Sequence, residues 1–135
     1  NIERLESSPM WRNLLKSKRC LMPVTSFYEW PEKGKPPLEI FANGGHPFAL
    51  AGLWSNWYEN GERRHSFAVI TTAANEFMSA YHRAMPVILE AKELQKLWLL
   101  EGGMEVLRGF ECHLTGERLT DKIEKVYPDH TDDAV

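Results

Sequence analysis

The sequence predicts an α+β domain in which an antiparallel β-meander, or a barrel-like sheet, is flanked by helices. Three features of the 135-residue chain predict this class: an amphipathic stretch near the amino terminus, then short β-forming segments separated by turn signals, and then a second amphipathic stretch. The composition, with 43% hydrophobic residues, five Trp and six Phe, is sufficient for a hydrophobic core. We therefore expect residues 1–135 to form a single domain.

The first helix is predicted over residues 9–18. Ser8 is a favourable N-cap residue, and Pro9 is favourable in the first helical turn. Apolar residues then recur at the spacing of one helical face, at Met10, Trp11, Leu14 and Leu15.

Four strands are predicted next, from segments rich in β-branched and aromatic residues: 20–30, 38–42, 48–58 and 66–72. The third is expected to be broken or bulged near Gly52. Asn43-Gly44-Gly45 and Asn60-Gly61 are hairpin signals, because Asn and Gly both tolerate positive φ. Short turns between successive strands predict an antiparallel meander.

The second half of the chain has a different pattern. Thr72 is expected to cap a helix that runs to about residue 81, with Glu76 in its first turn. Beyond that helix we expect, in order, an extended segment (82–89), an amphipathic helix (90–100), a further helical turn (104–109), two edge strands (110–114 and 123–127) and a tail.

The composition excludes several classes of protein. No apolar run approaches the roughly 20 residues that a membrane-spanning helix needs. Two cysteines are too few for a disulfide scaffold, so we expect a reducing, cytoplasmic location. The His and Cys spacings match no metal site, and neither a metal nor another cofactor is expected.

The formal net charge of −3 does not indicate nucleic-acid binding by the molecule as a whole. A nucleic-acid ligand would need a local basic face. The candidate clusters are Lys16, Lys18 and Arg19; Arg63, Arg64 and His65; and His82 with Arg83. For each cluster, the alternative is ordinary solvated surface charge.

Glu29 is the first candidate for chemistry. It lies between Tyr28 and Trp30, which places a carboxylate inside an aromatic strand. Strand alternation puts it on the face of Phe27, opposite Tyr28 and Trp30. A carboxylate among apolar side chains suits a general acid, and the alternative is an ordinary strand glutamate on a solvent face.

His82 is the second candidate. It follows a predicted helix and precedes Met85-Pro86, so it lies where a helix passes into an extended segment. Histidine titrates near neutral pH, which suits proton transfer. The alternative is a structural histidine near a helix terminus. The sequence has no Gly-x-Ser-x-Gly motif to support a serine-type triad.

Several segments between residues 19 and 100 occur together in a fixed order. They are Arg19-Cys20-Leu21-Met22-Pro23, Phe27-Tyr28-Glu29-Trp30, Gly34-Lys35-x-Pro37, Phe48-Ala49-Leu50-Ala51-Gly52-Leu53-Trp54, Ser66-Phe67-Ala68-Val69-Ile70-Thr71-Thr72-Ala73-Ala74-Asn75 and His82-x-x-Met85-Pro86-Val87-Ile88-Leu89. In this order and spacing, the set resembles the SRAP family of SOS-response-associated peptidases, the abasic-site processing proteins.

The resemblance implies an SRAP-like domain that binds single-stranded DNA at an abasic site and crosslinks to it. In the family, an N-terminal Cys, exposed when the initiator Met is removed, attacks the aldehyde of the open-chain sugar. Its amine forms a Schiff base, and its thiol then closes a thiazolidine ring. The implied partner is therefore single-stranded DNA with abasic sites, bound in the cytoplasm at the nucleoid. Neither a membrane nor a second copy of the chain is expected as a partner.

The resemblance also assigns roles to individual residues. Glu29 takes the role of the glutamate that transfers protons during ring opening and imine chemistry. His82 takes that of the histidine that assists acid–base steps and crosslink reversal. Asn1 takes that of the asparagine that holds the reactive N terminus, although one more residue precedes the following Arg than in the family pattern. The residues implied to contact DNA are Arg4, Trp30, Thr71 and Arg83.

The nucleophilic N-terminal Cys of the family is absent from this sequence. Cys20 is internal and has no free α-amine, so it cannot form a thiazolidine. We expect that the chain lacks the N-terminal segment that carries the nucleophile. Two alternatives remain open: a non-covalent DNA-binding module of the same fold, and a peptidase that acts on other proteins.

Overall fold

The computed structural model describes residues 1–108, 112 and 114–118, which adopt an α+β fold. The helices are α1 (Ile2–Ser7), α2 (Pro9–Ser17), α3 (Glu76–Ser79), α4 (Lys92–Leu100) and α5 (Met104–Arg108). The strands are β1 (Arg19–Val24), β2 (Phe27–Glu29), β3 (Leu38–Phe41), β4 (Phe48–Glu59), β5 (Glu62–Val69), β6 (Thr71–Ala73), β7 (Ala84–Pro86), β8 (Ile88–Leu89) and β9 (Thr115–Arg118). The predicted α+β class and antiparallel pairing are confirmed.

Two helices occupy the amino-terminal end of the chain, where one was predicted. In the additional helix, α1, the Asn1 side chain accepts a hydrogen bond from the Glu3 N–H at 2.9 Å, and Ile2 and Leu5 are buried. Helix α2 lies within its predicted range, although Ser8 precedes it without a capping bond from its side chain.

Strand β4 is the centre of the larger sheet, which has the order β1-β4-β5 with β8 also paired to β4. Its register is continuous through Gly52, which is opposite both Cys20 and Val69, so the predicted break there is wrong. A Cβ at position 52 would lie 3.0 Å from the Cys20 sulfur and 3.1 Å from the Ala68 carbonyl oxygen. The glycine therefore permits close approach of side chains and backbone rather than a bend.

The remaining strands form two smaller sheets, β2-β3-β9 and β6-β7, and the strands of the described part of the chain do not close into a barrel. The single meander is therefore wrong, because the predicted strand over residues 20–30 is two strands that belong to different sheets. Among the described residues, β5 pairs only with β4 and forms an edge of the larger sheet.

The two predicted hairpin turns have different outcomes. Asn60 and Gly61 have φ of 49° and 80° and connect β4 to β5, as predicted. Asn43, Gly44 and Gly45 also have positive φ, but they form a 3₁₀ turn between β3 and β4, which lie in different sheets. The hairpin prediction at that turn is wrong, because neither strand pairs with the other.

Asn75, rather than Thr72, caps α3. Its side-chain oxygen accepts a hydrogen bond from the Met78 N–H at 2.9 Å, whereas Thr72 lies in β6 opposite Met85. Helices α4 and α5 confirm the predicted segments at 90–100 and 104–109. The predicted strand 110–114 lies partly outside the described residues; Cys112 and Leu114 are not in a strand. The segment 123–127 and the tail also lie outside the described residues.

Two hydrophobic clusters pack on opposite faces of the larger sheet. Ala51 and Leu53 point to the first cluster, which the helices α1, α4 and α5 cover and which contains the fully buried Trp98. Phe48 and Leu50 point to the second cluster, shared with β3, α3 and β8. The alternation of side chains along β4 therefore divides the core in two.

Arg19 connects the carboxyl ends of α2 and α4. Its guanidinium donates hydrogen bonds to five backbone carbonyls: Leu15 and Lys16 at 2.7 Å each, Trp98 at 2.7 Å, Leu99 at 3.1 Å and Leu100 at 3.4 Å. A Cβ at Gly102, whose φ is 65°, would lie 2.6 Å from the Arg19 Nε. The glycine after α4 thus leaves the space that the guanidinium occupies.

No described helix has the length and apolar character required to cross a membrane.

Candidate active site

Glu29 ends the three-residue strand β2 and is opposite Leu38 of β3. Phe27, two residues earlier, packs in the second cluster, where its ring lies edge-on to Phe48 with the centroids 6.5 Å apart. Because alternate residues of a strand share a face, the half-buried Glu29 lies on the inner face of this sheet with Phe27. Its carboxylate makes no hydrogen bond to another described residue.

Tyr28 and Trp30 lie on the outer side of the same segment. Their rings are 6.1 Å apart, and they are 39% and 40% exposed. Glu39, opposite Tyr28, accepts a hydrogen bond from the Ser26 hydroxyl at 2.6 Å and one from the Tyr28 hydroxyl at 3.4 Å. These bonds hold the turn that precedes β2. The sequence did not indicate Glu39, because its position opposite Tyr28 depends on the β2–β3 register.

His82 follows α3, and the backbone fixes its exposed ring. Its own N–H donates to the Met78 carbonyl at 2.8 Å, and the Ala84 N–H donates to its Nδ1 at 3.1 Å. The Ala84 carbonyl oxygen is 3.0 Å from the same nitrogen. When Nδ1 accepts the bond from Ala84, the proton of the neutral ring is on Nε2, which can then donate to a ligand. Arg83, beside it, is also exposed.

Asn1 and Arg4 lie on the other side of the larger sheet. They are exposed and border a small pocket of about 140 Å³ together with Ala68 and Ile70. Thr71, the next residue after Ile70, is half-buried and opposite Pro86. The Asn1 side chain is already engaged as the cap of α1.

The described structure therefore brings the seven predicted residues together only in groups. Glu29 lies in β2 and His82 lies between α3 and β7, and these elements pack on the second cluster, whereas Asn1 and Arg4 are next to the first. Glu29, His82 and Asn1 make no hydrogen bond to one another among the described residues. The arrangement can supply one carboxylate and one imidazole for proton transfer, each reached from the surface.

A separate cleft of about 810 Å³ lies between α1, β6 and α3, and none of the seven predicted residues lines it. Asn75 is its most constrained polar residue: it caps α3, and its side-chain nitrogen is 3.8 Å from the Cys112 sulfur. The sequence alone indicated no role for Asn75. Its position two residues beyond a strand and before an acidic residue is a signal for a helix cap.

Only part of the predicted basic clusters is available for a ligand. The guanidinium of Arg19 donates its hydrogen bonds to helix carbonyls, and Arg64 forms ion pairs with Glu59 and Glu62 at 3.3 and 3.4 Å. Arg63 forms no ion pair with a described residue. Within residues 1–108, 112 and 114–118, no group of three or more His, Cys, Asp or Glu side chains is arranged to hold a metal ion.

The two thiols of the chain are poor nucleophiles. Burial raises the pKa of Cys20. Burial, together with the negative charge of Glu90, raises the pKa of Cys112 to about 11. Since the thiolate is the reactive form, both residues remain protonated and unreactive at neutral pH.

We expect Cys112 to resist alkylation by iodoacetamide at pH 8 and to react only as the pH approaches 11. Peptide-level mass spectrometry of the folded protein, with glutathione as the reference thiol, measures this. Denaturation at pH 8 is the control, because it should restore an ordinary rate. Reaction of native Cys112 as fast as glutathione at pH 8 would contradict the assigned burial.

The raised pKa also predicts how folding stability depends on pH. The folded protein favours the neutral thiol of Cys112. The contribution of this thiol to the free energy of unfolding is therefore complete below about pH 9 and is lost as the pH rises toward 11.

Comparison with known proteins shows a family match. The family model described as SOS response associated peptidase (SRAP) matches residues 1–118. Abasic site processing protein YoqW of Bacillus subtilis is 42% identical over 101 residues, which cover 72% of this chain and 45% of that protein. Abasic site processing protein HMCES of Gallus gallus is 32% identical over 108 residues, which cover 64% of this chain and 32% of that protein. The chain thus spans less than half the length of these curated relatives.

Solved structures with the same fold include a protein from Bacteroides thetaiotaomicron, with a TM-score of 0.69 and 26% identity over 87% of this chain and 56% of that one. A phage-related protein from Bordetella bronchiseptica has a TM-score of 0.62 and 26% identity, over 87% of this chain and 61% of that one.

Proposed function

This chain belongs to the SOS response associated peptidase (SRAP) family, and from that membership we propose that the protein processes abasic sites in DNA. The observation that carries the proposal is the 42% identity to an abasic site processing protein over 101 residues. The exposed positions of His82 and Arg83 and the partly exposed Glu29 support it, because a DNA strand can reach all three.

The proposed reaction is covalent capture of single-stranded DNA by an N-terminal Cys that is not part of this chain. Its α-amine adds to the aldehyde of the open-chain sugar, and loss of one water gives an imine. The thiol then adds to the imine carbon, its proton passes to the nitrogen, and the thiazolidine ring closes. Self-processing of the N terminus exposes the amine. Cys20 and Cys112 are internal and protonated, and neither takes part.

In this mechanism Glu29 and His82 transfer protons. As the carboxylic acid, Glu29 delivers a proton to the ring oxygen of the sugar and recovers one from the anomeric hydroxyl as the ring opens; it then delivers a proton to the departing water and recovers one from the nitrogen. Its carboxyl group is free for these transfers because it is held on the inner face of β2 without competing hydrogen bonds to described residues. His82 acts through Nε2, since the Ala84 backbone binds Nδ1. It assists reopening of the thiazolidine. Asn1 orients the N-terminal amine and must exchange its bond to Glu3 for that role.

The proposed DNA contacts are sequence-independent. Trp30 offers an exposed ring for base stacking. Arg4 and Arg83 offer exposed guanidinium groups to phosphates, and the half-buried Thr71 is the fourth proposed contact with the DNA strand. We further propose that the protein acts as a monomer in the cytoplasm, at the nucleoid, and requires no cofactor.

The decisive test uses the full-length gene product with its N terminus verified by mass spectrometry. The protein is incubated with single-stranded DNA carrying one abasic site, and a denaturation-resistant adduct is sought. We expect an adduct that disappears when the N-terminal Cys is replaced by Ala. Its absence, with DNA shown to be open to borohydride trapping, would refute covalent capture and leave non-covalent binding as the function.

His82→Gln is expected to slow reversal of the crosslink by about 100-fold, the usual scale for loss of a general acid–base group. Reversal is measured as transfer of the preformed adduct to an excess of unlabelled abasic DNA. His46→Gln is the matched control, because His46 is also exposed but lies on the turn between β3 and β4. Reversal at the wild-type rate in His82→Gln would exclude the proposed role.

A further inference from the structure

We propose that one face of the β4–β5 hairpin binds the DNA strand that flanks the abasic site. This hairpin face consists of Trp54, Asn56 and Tyr58 on β4 and Arg63, His65 and Phe67 on β5. The proposal rests on the proposed function, since it takes single-stranded DNA as the ligand. It extends that function to a surface that contains none of the DNA contacts implied by the family resemblance, although Arg63 and His65 belong to one of the candidate basic clusters.

The strand register places these six side chains on one face. Trp54 is opposite Phe67, Asn56 is opposite His65, and Tyr58 is opposite Arg63. Cross-strand partners share a face, and so do alternate residues along each strand. The six residues therefore form three successive rows across the hairpin.

The ion pairs of the hairpin confirm this division. Arg64 contacts both Glu59 and Glu62, and alternation puts all three on the opposite face. Both carboxylates of the hairpin are thus on the side away from Arg63 and His65. Neither of these two residues forms an ion pair with a described residue.

The hairpin face consequently carries positive charge without a neighbouring carboxylate from the hairpin itself. Lys18, the residue between α2 and β1, adds a further cation, because its Nζ lies 3.9 Å from the centroid of the Trp54 ring. Phosphate groups are the ligand that such a surface complements, even in a chain with a net charge of −3.

Aromatic side chains lie between these cations. Tyr58 is 72% and Phe67 64% exposed, so both rings are accessible to a ligand. Trp54, His65 and Phe67 also border an open groove of about 410 Å³ against β1. Bases stack on aromatic faces without regard to sequence, which suits the strand around a lesion.

The groove and the proposed reaction site are both next to the second cluster. Met22 borders the groove and packs against that cluster, as does Phe27. Glu29 shares the inner face of β2 with Phe27. The proposal places the lesion at Glu29 and the flanking strand along the hairpin face.

The test compares two double variants of the full-length protein. Tyr58→Ala/Arg63→Ala alters the hairpin face, and Trp57→Ala/Arg64→Ala removes the same two kinds of side chain from the opposite face. Binding is measured by fluorescence anisotropy with single-stranded DNA that carries a tetrahydrofuran abasic analogue, which cannot crosslink. One oligonucleotide has long flanks on both sides, and the other has one nucleotide on each side.

We expect Tyr58→Ala/Arg63→Ala to weaken binding of the long oligonucleotide by about 10-fold or more, as loss of one stacked base and one phosphate contact predicts. The slope of log affinity against log salt should become shallower by about one. Binding of the short oligonucleotide, and the adduct formed with a natural abasic site in it, should be unchanged. The opposite-face variant should stay within about twofold of wild type.

The outcomes separate this proposal from the proposed function. Equal affinities of both double variants for the long oligonucleotide, in a protein that still crosslinks, overturn the hairpin face alone. Failure of the unaltered protein to bind or crosslink abasic DNA overturns both. A lower melting temperature in Tyr58→Ala/Arg63→Ala, with unchanged affinity of the folded fraction, assigns the face to packing against protein and also overturns it.

Discussion

Glu29→Gln is expected to slow formation of the abasic-site adduct by about 100-fold or more, with little change in DNA affinity. Gln keeps the size and an acceptor oxygen of Glu but cannot transfer the proton, so only the chemical step should suffer. The rate is measured in single-turnover time courses with saturating protein. Loss of rate without loss of affinity indicates an interaction made in the transition state.

Glu39→Gln is the matched control for this result. Glu39 is on the neighbouring strand, opposite Tyr28, and accepts hydrogen bonds that a Gln can also accept. We expect its adduct to form at close to the wild-type rate. Equal rates for both variants would remove Glu29 from the mechanism, whereas slow adduct formation in both would point to the geometry of the β2 segment rather than to proton transfer.

Arg19→Ala is expected to lower the free energy of unfolding by about 3 kcal/mol or more. Five backbone carbonyls lose a charged donor, and those of Leu15 and Trp98 lie in part-buried positions. Carbonyls deprived of a partner away from solvent cost about 1–3 kcal/mol each, and the exposed ones regain water. Denaturant titration monitored by tryptophan fluorescence measures the difference.

Two further variants test this prediction: Arg19→Lys as a partial replacement and Arg12→Ala as a control. Lysine presents one ammonium in place of a planar five-donor group, so we expect an intermediate loss. Arg12 is an exposed residue of α2, and its removal should change the free energy by less than about 0.5 kcal/mol. A loss below about 1 kcal/mol in Arg19→Ala would show that water replaces the guanidinium at both helix ends.

The sequence correctly predicted the helices and turns that depend only on residues close together in the chain. Helices α2 and α4 follow from apolar spacing, and the turn at Asn60-Gly61 follows from the positive φ that both residues adopt. Asn43-Gly44-Gly45 has the same local chemistry but a different outcome. Whether a turn closes a hairpin depends on which strands pair, and β3 pairs with β2 and with the distant β9 rather than with β4.

The candidate site was predictable to the same extent. The motifs indicate Glu29 and His82, and alternation correctly puts Glu29 on the face of Phe27. Glu39 was not predicted, and the sequence indicated only the basic residues Arg63 and His65 of the hairpin face, since the other members depend on cross-strand register. The sequence also did not predict that Arg19 donates hydrogen bonds to carbonyls at two helix ends, because these carbonyls lie in both α2 and α4.

The one-sided pairing of β5 bears on how this chain behaves in concentrated solution. No strand of the described residues covers its outer edge, which offers backbone donors and acceptors over eight residues, a template on which another strand can add. Glu62, Arg63 and Arg64 protect the first half by charge, whereas Phe67-Ala68-Val69 leaves the second half unprotected. Salt screens that protection. Self-association of these 135 residues is therefore expected to increase with ionic strength and to begin at Phe67.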